Sequence, residues 1–134
     1  MEPLEHEKYY AMFKSYGTVF LYPGEYVKKI GSTTNQKELK AFQPVISFSQ
    51  LCFFKHDEEP YTMIIKNQDT YLAIAIAEIG EVVRVKKTIA LPAYLRADNQ
   101  LYQAAVLLDD NLAYIVDHEY FMKLALEVSQ NETG

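Results

Sequence analysis

Residues 101–123 read LYQAAVLLDDNLAYIVDHEYFMK, and this stretch decides the fold class. Tyr102–Leu108 and Leu112–Val116 are both rich in aliphatic residues, and Asp109-Asp110-Asn111 stands between them. Asp and Asn tolerate the left-handed backbone of a tight hairpin, so the spacing predicts two antiparallel strands. After Asp117 the period changes. Phe121, Leu124, Ala125 and Val128 fall on one face of a helix over 118–130, with Asp117 placed to cap its start.

Working outward, Tyr61–Lys66 and Thr70–Ile76 form a second strand pair around the turn-forming Asn67-Gln68-Asp69. In the latter strand Leu72, Ile74 and Ile76 point one way and Ala73, Ala75 and Ala77 the other. Large side chains fill a core, while small ones let another backbone approach, so this strand is expected to be packed on both faces. A further strand, Glu81–Lys86, follows Gly80. Near the N-terminus, Tyr9–Phe13 and Thr18–Leu21 read as strands joined through Ser15-Tyr16-Gly17, with Gly17 free to adopt positive φ. Pro23-Gly24 breaks the chain before a short segment, Tyr26–Ile30, and Gly31–Lys40 is polar and reads as an exposed loop. Strand character resumes over Pro44–Phe48, and Lys55–Pro60 is a charged loop. Many short strands and one closing helix make an all-β, barrel-type pattern.

Composition bounds the function. With 134 residues, 49% hydrophobic and 23% charged, the chain is long enough for one domain with its own core. Its single cysteine, Cys52, excludes an internal disulfide, and its apolar neighbours Leu51, Phe53 and Phe54 point to a buried thiol. A net charge of −5 argues against a nucleic-acid partner, which would demand clustered Lys and Arg. The basic run Arg84–Lys87 alternates with valine and reads as a solvated strand face. The acidic opening MEPLEHEKYY does not resemble a signal peptide, and no apolar run reaches the ~20 residues of a membrane span. A cytoplasmic location without membrane insertion is expected.

Catalytic patterns are missing. His6, His56 and His118 are far apart and show no zinc-site spacing, and there is no phosphate-binding glycine loop or nucleophile elbow. Asp109-Asp110 and Glu58-Glu59 are adjacent carboxylates, but neighbours at a hairpin tip or in a loop diverge into solvent. Neither a metal, a cofactor nor an enzymatic activity is expected. Eleven Tyr and seven Phe without Trp leave aromatic surface for the core and for partner contacts.

Four blocks carry a resemblance to a known family. Leu101–Lys123 is similar to the closing strand–Asp turn–strand–Asp–helix element of CheW-type chemotaxis coupling proteins. Tyr71–Val85, YLAIAIAEIGEVVRV, resembles the family's strand–"DEV"–strand segment, Pro44–Leu51 its "PVIDLRxL", and Thr18–Ile30 its "EYALPLxxVxEI". The blocks occur in the family's order. The resemblance implies a single domain over 1–134 of two intertwined, five-stranded, SH3-like barrels, the first mainly 9–60, the second mainly 61–116, with a closing helix at 118–130. It also implies a non-catalytic adaptor that bridges a CheA-type histidine kinase and methyl-accepting chemoreceptors. By position, the receptor groove would include Tyr22, Glu25, Val27, Ile30, Val45 and Ile46. Ser47 and Ala77 replace the family's Asp in "PVID" and "DEV", and Gly31–Phe42 is short and lacks the "N-L-R-G" arginine. A specialised adaptor for pilus motility or another kinase array is thus as open as standard coupling. A small-ligand-binding β-barrel and a self-associating subunit are the other expectations.

Overall fold

The computed structural model describes residues 8–32, 45–53, 55, 57–85, 87–90 and 101–133. Most of the polar loop 31–40 and the histidines at 6 and 56 lie outside them. The strands are β1 (Lys8–Ser15), β2 (Thr18–Pro23), β3 (Val27–Ser32), β4 (Val45–Ser47), β5 (Tyr61–Asn67), β6 (Thr70–Ile76), β7 (Glu78–Val85), β8 (Ile89–Ala90), β9 (Tyr102–Leu108) and β10 (Asn111–Val116). A 3₁₀ turn, Gly24–Tyr26, follows β2; helix α1 (Phe48–Phe53) follows β4, and α2 (His118–Thr133) closes the chain. The fold is all-β with a C-terminal helix.

Turn chemistry explains the hairpins. Between β1 and β2, Tyr16 and Gly17 both have positive φ, 50° and 73°, the twist-matched two-residue connection. Asp109 and Asp110 do the same between β9 and β10, at 45° and 69°. The turn is therefore two residues, not three: Asn111 already pairs with Leu108. Its side-chain amide donates to the Asp109 carbonyl at 3.4 Å.

Two sheets result, ordered β7-β1-β2-β10-β9-β8 and β3-β5-β6-β4. Each contains one parallel joint: β2 with β10, where Phe20 lies opposite Tyr114, and β4 with β6, where Ile46 lies opposite Ile74. Both joints connect strands distant in sequence, so neither sheet coincides with one half of the chain. Phe13, Phe20 and Tyr22 from the larger sheet meet Ile46, Met63, Ile65, Ile74 and Ile76 from the smaller one in a shared core. Phe48 of α1 and Phe121, Met122 and Ala125 of α2 complete it.

The far faces are packed as well. Tyr10, Leu21, Val85, Val106, Ala113 and Ile115 form a second cluster, and Val45, Ile64 and Ala73 a third. This accounts for Val19-Phe20-Leu21-Tyr22, an unbroken apolar run that sends alternate side chains to two different clusters. It also gives β6 the double packing expected from its alternating large and small residues, with Ala73 and Ile74 both wholly inaccessible.

A second expectation is corrected. Strand character over Pro44–Phe48 stops at Ser47, and Phe48 opens α1. Ser47 Oγ accepts the Gln50 N–H at 3.2 Å, a serine cap at a helix start. The Glu59 carboxylate accepts the Ser49 N–H at 3.0 Å and the Ser47 hydroxyl. A cap outweighs the β-propensity of a short apolar run. Glu59→Ala should lower unfolding free energy by about 1–2 kcal/mol, through loss of a capping acceptor for two partly buried donors. Urea denaturation checks this, and an unchanged midpoint would show the network to be inconsequential.

Gly24 marks a second constraint. A Cβ there would lie 2.8 Å from the Tyr9 carbonyl oxygen, a backbone atom that cannot rotate aside. Gly24→Ala should therefore destabilise by about 1–3 kcal/mol, the usual range for overpacking. Thermal melting of the variant tests it.

Candidate functional site

Asp117 sets the geometry of the β10–α2 junction. Its carboxylate accepts the Tyr120 N–H at 3.2 Å, its carbonyl accepts the Phe121 N–H at 2.9 Å, and its own N–H donates to the Leu101 carbonyl at 2.6 Å. The helix therefore starts where the sequence placed its cap. His118, the first helical residue, is carried back over β2 and is only 6% exposed.

The His118 ring is held on two sides. Tyr22 Oη lies 2.7 Å from Nδ1, a contact spanning 96 positions of sequence. Tyr26, in the 3₁₀ turn, stacks on the imidazole with centroids 3.6 Å apart and planes within 4°. Burial pushes the Tyr22 phenol well above its ordinary range, with Tyr26 and Asp117 adding to the effect, so the hydroxyl keeps its proton. The hydroxyl and Nδ1 share one hydrogen bond, which fixes the ring against β2 in either tautomer. Burial also lowers the His118 pKa, against the opposing pull of Glu119, Asp117 and Glu25. Three carboxylates thus face one neutral ring.

Beside this ring is a half-open cleft of about 710 Å³, between the start of β1, the 3₁₀ turn and the β10–α2 junction. Tyr9, Tyr10, Tyr26 and His118 supply aromatic wall, Glu25, Asp117 and Glu119 negative charge, and Lys8 one cation. A second concavity of about 470 Å³ lies among Tyr16, Asp57, Glu58 and Glu78. It is shallower, and the Tyr16 N–H donates to Asp57 there at 3.4 Å. Among the described residues no three His, Cys, Asp or Glu gather as a metal site. Cys52 is partly buried, and burial, then Glu59, pushes its thiol up and away from nucleophilic reactivity.

The six residues named from the resemblance fall into three groups. Tyr22 is wholly buried and contacts His118, with Glu25 exposed in the adjoining turn. Val27 and Ile30 lie half-buried on β3, one edge of the smaller sheet. Val45 and Ile46 lie on β4, the opposite edge, Val45 half-buried and Ile46 3% exposed. Glu25 lines the cleft, Tyr22 is linked to it through His118, and the other four residues lie on the two end strands of the smaller sheet. Sequence reasoning missed Tyr9, Tyr26, His118 and Glu119 as one assembly. Its only local signal was Asp117 before a helix, since the Tyr22–His118 contact bridges opposite ends of the chain.

Interleaved sheets around a shared core, closed by a helix, form the CheW-like fold. Among solved structures the chain is similar to the scaffolding protein CheW of Thermoanaerobacter tengcongensis, with TM-score 0.66 and 12% identity, over 84% of this chain and 90% of that one. No family model matches the sequence, and no curated protein matches it in sequence. At 12% identity the likeness is one of fold. Among the described residues no helix is long and apolar enough to cross a membrane.

Proposed function

We propose that this chain is a cytoplasmic, non-catalytic adaptor in chemotaxis-type signal transduction, coupling a CheA-type histidine kinase to methyl-accepting chemoreceptors. The observation that carries the reading is a fold shared with a CheW scaffolding protein over 90% of that protein's length. The four collinear sequence blocks point the same way. Glu25, Val27 and Ile30 keep some exposed surface along the 3₁₀ turn and β3, which suits a partner contact, and the resemblance adds Val45 and Ile46 on β4 to the proposed contact.

Binding of the full chain to the kinase regulatory domain and to the receptor tip from the same genome tests this, by calorimetry with each purified partner. Saturable binding to at least one is expected, and Val27→Glu should weaken the receptor arm by about tenfold, a charge set against an apolar interface centre. Heat of dilution alone with both partners would overturn the adaptor reading.

A second reading, a self-associating subunit, draws on Val82, which is 72% exposed on β7. Among the described residues β7 pairs only with β1. The β1–β7 register shifts between Ala11 and Phe13, a bulge beside Gly80, and β7 carries Glu78, Glu81 and Arg84. Bulges and charge are the usual means of blunting an edge strand, so the geometry favours the adaptor.

A further inference from the structure

We propose that the cleft beside His118 is a socket for a cationic side chain, an arginine or lysine carried on a basic segment of a protein partner. The proposal deepens the adaptor reading and rests on it for the partner being a protein; its chemistry comes from the cleft.

Three tyrosines, Tyr9, Tyr10 and Tyr26, are among the lining residues, Tyr10 nearly buried and Tyr26 stacked on His118. Tyr9 is the most exposed of them, at 54%, and offers ring surface to a guest in the cleft. Ring faces of this kind attract guanidinium and ammonium groups. The sign of the field follows from the carboxylates. Glu25 comes from the 3₁₀ turn, Asp117 from the β10–α2 junction and Glu119 from the first helical turn, and all three act on His118. Glu25 and Glu119 also act on Tyr26, and Glu25 on Tyr10. Against these three carboxylates the lining has one cation, Lys8.

Among the described residues nothing else in the cleft cancels that charge. His118 is held neutral between Tyr22 and Tyr26. A helix start would ordinarily favour an anion, yet Asp117 already accepts the Tyr120 and Phe121 N–H groups. An anionic guest would meet carboxylates where it needed donors. The half-open form, against the enclosure typical of metabolite pockets, admits a side chain projecting from another protein. Arginine is also among the residues enriched at interface hot spots.

The test is a titration of the full chain with a blocked tetra-arginine peptide, alongside tetra-citrulline and tetra-glutamate peptides of the same length. Chemical-shift changes at the His118 imidazole and calorimetry give the readouts. Tetra-arginine should bind and shift His118, weakening as salt rises from about 0.05 M to about 0.3 M. The exposed-site double variant Glu25→Gln/Glu119→Gln should bind about tenfold more weakly, the size of two modest ion-pair losses. No binding, equal binding of tetra-glutamate, or undiminished binding by the double variant would overturn the socket. If tetra-arginine binds as expected while kinase and receptor both fail to bind, the socket stands and the adaptor reading falls. If the partners bind but tetra-arginine does not, the reverse holds.

Discussion

Replacing Phe20 with alanine is expected to destabilise the protein by about 4 kcal/mol, the middle of the range for deleting a buried aromatic ring. Phe20 is wholly inaccessible and sits at the centre of an aromatic cluster. Phe13 stacks on it at 5.6 Å, Phe48 meets it edge-on at 4.9 Å, and Tyr102 lies at 5.6 Å. Phe53 and Tyr114 complete the ring of partners at 6.1 Å and 6.4 Å. These residues come from β1, β9 and β10 of the larger sheet and from α1, so the cavity would open where that sheet meets the short helix. Relaxation around it would have to move several elements together.

Most domains hold only about 5–15 kcal/mol in total. For a chain of this size the loss corresponds to a fall in melting temperature on the order of 10–20 °C. Val82→Ala is the control, since Val82 is 72% exposed and its change should stay within about 0.5 kcal/mol. A Phe20→Ala loss below about 1 kcal/mol would mean the aromatic cluster does not organise the core.

His118→Ala is expected to cost about 3 kcal/mol at neutral pH, and to remove part of the acid sensitivity of the fold. The ring packs face-on against Tyr26 and edge-on to Tyr22, and its deletion takes away the buried Tyr22 hydroxyl's hydrogen-bond partner. Lost packing and an orphaned hydroxyl each contribute about 1–3 kcal/mol. The pH dependence follows from linkage. Burial lowers the folded-state pKa of His118 below its ordinary value, so the unfolded chain binds the proton more readily. Stability from this residue is therefore complete above the unfolded pKa, about 6.5. It is lost as pH falls from there towards the lower folded value, with a limiting slope of about 1.4 kcal/mol per pH unit. Denaturation series from neutral to mildly acid pH should show a gap between wild type and His118→Ala that narrows as pH falls. A gap constant across that range would contradict the neutral, Tyr22-bonded state. Tyr22→Phe, which keeps the ring and removes the hydroxyl, should cost about 1–3 kcal/mol without abolishing the titration.

How much of this was legible in the sequence depends on the range of the interaction. Hairpins β5–β6 and β9–β10 were readable because turn and strands sit within 16 consecutive residues and Asp, Asn and Gln mark the reversal. Helix α2 was readable from Asp117 and a change of period. The α1 helix was hidden, because SFSQLCF is apolar enough for a strand and its deciding acceptor, Glu59, arrives ten residues after Ser49. The parallel joints β2–β10 and β4–β6 have no local signature at all. The candidate site suffers from the same blindness. Glu25 and Tyr22 were named from resemblance, but their association with His118 exists only once β2 and β10 are side by side. Strands β3 and β4, which carry the other four named residues, stand at the two ends of the smaller sheet's strand order, an arrangement with no local signature.

The seam between β2 and β10 also dictates when the molecule can come into being. Val19 lies opposite Ala113, so the central strand of the larger sheet has no second neighbour until more than 90 further residues have been added. At about 5–20 residues per second, a nascent chain spends several seconds with that strand half-satisfied and its aromatic side chains uncovered. Long-range closure of this kind places folding among the slow β topologies, on the order of milliseconds to seconds once synthesis is complete. Chaperone contact during translation is where such an arrangement is most exposed.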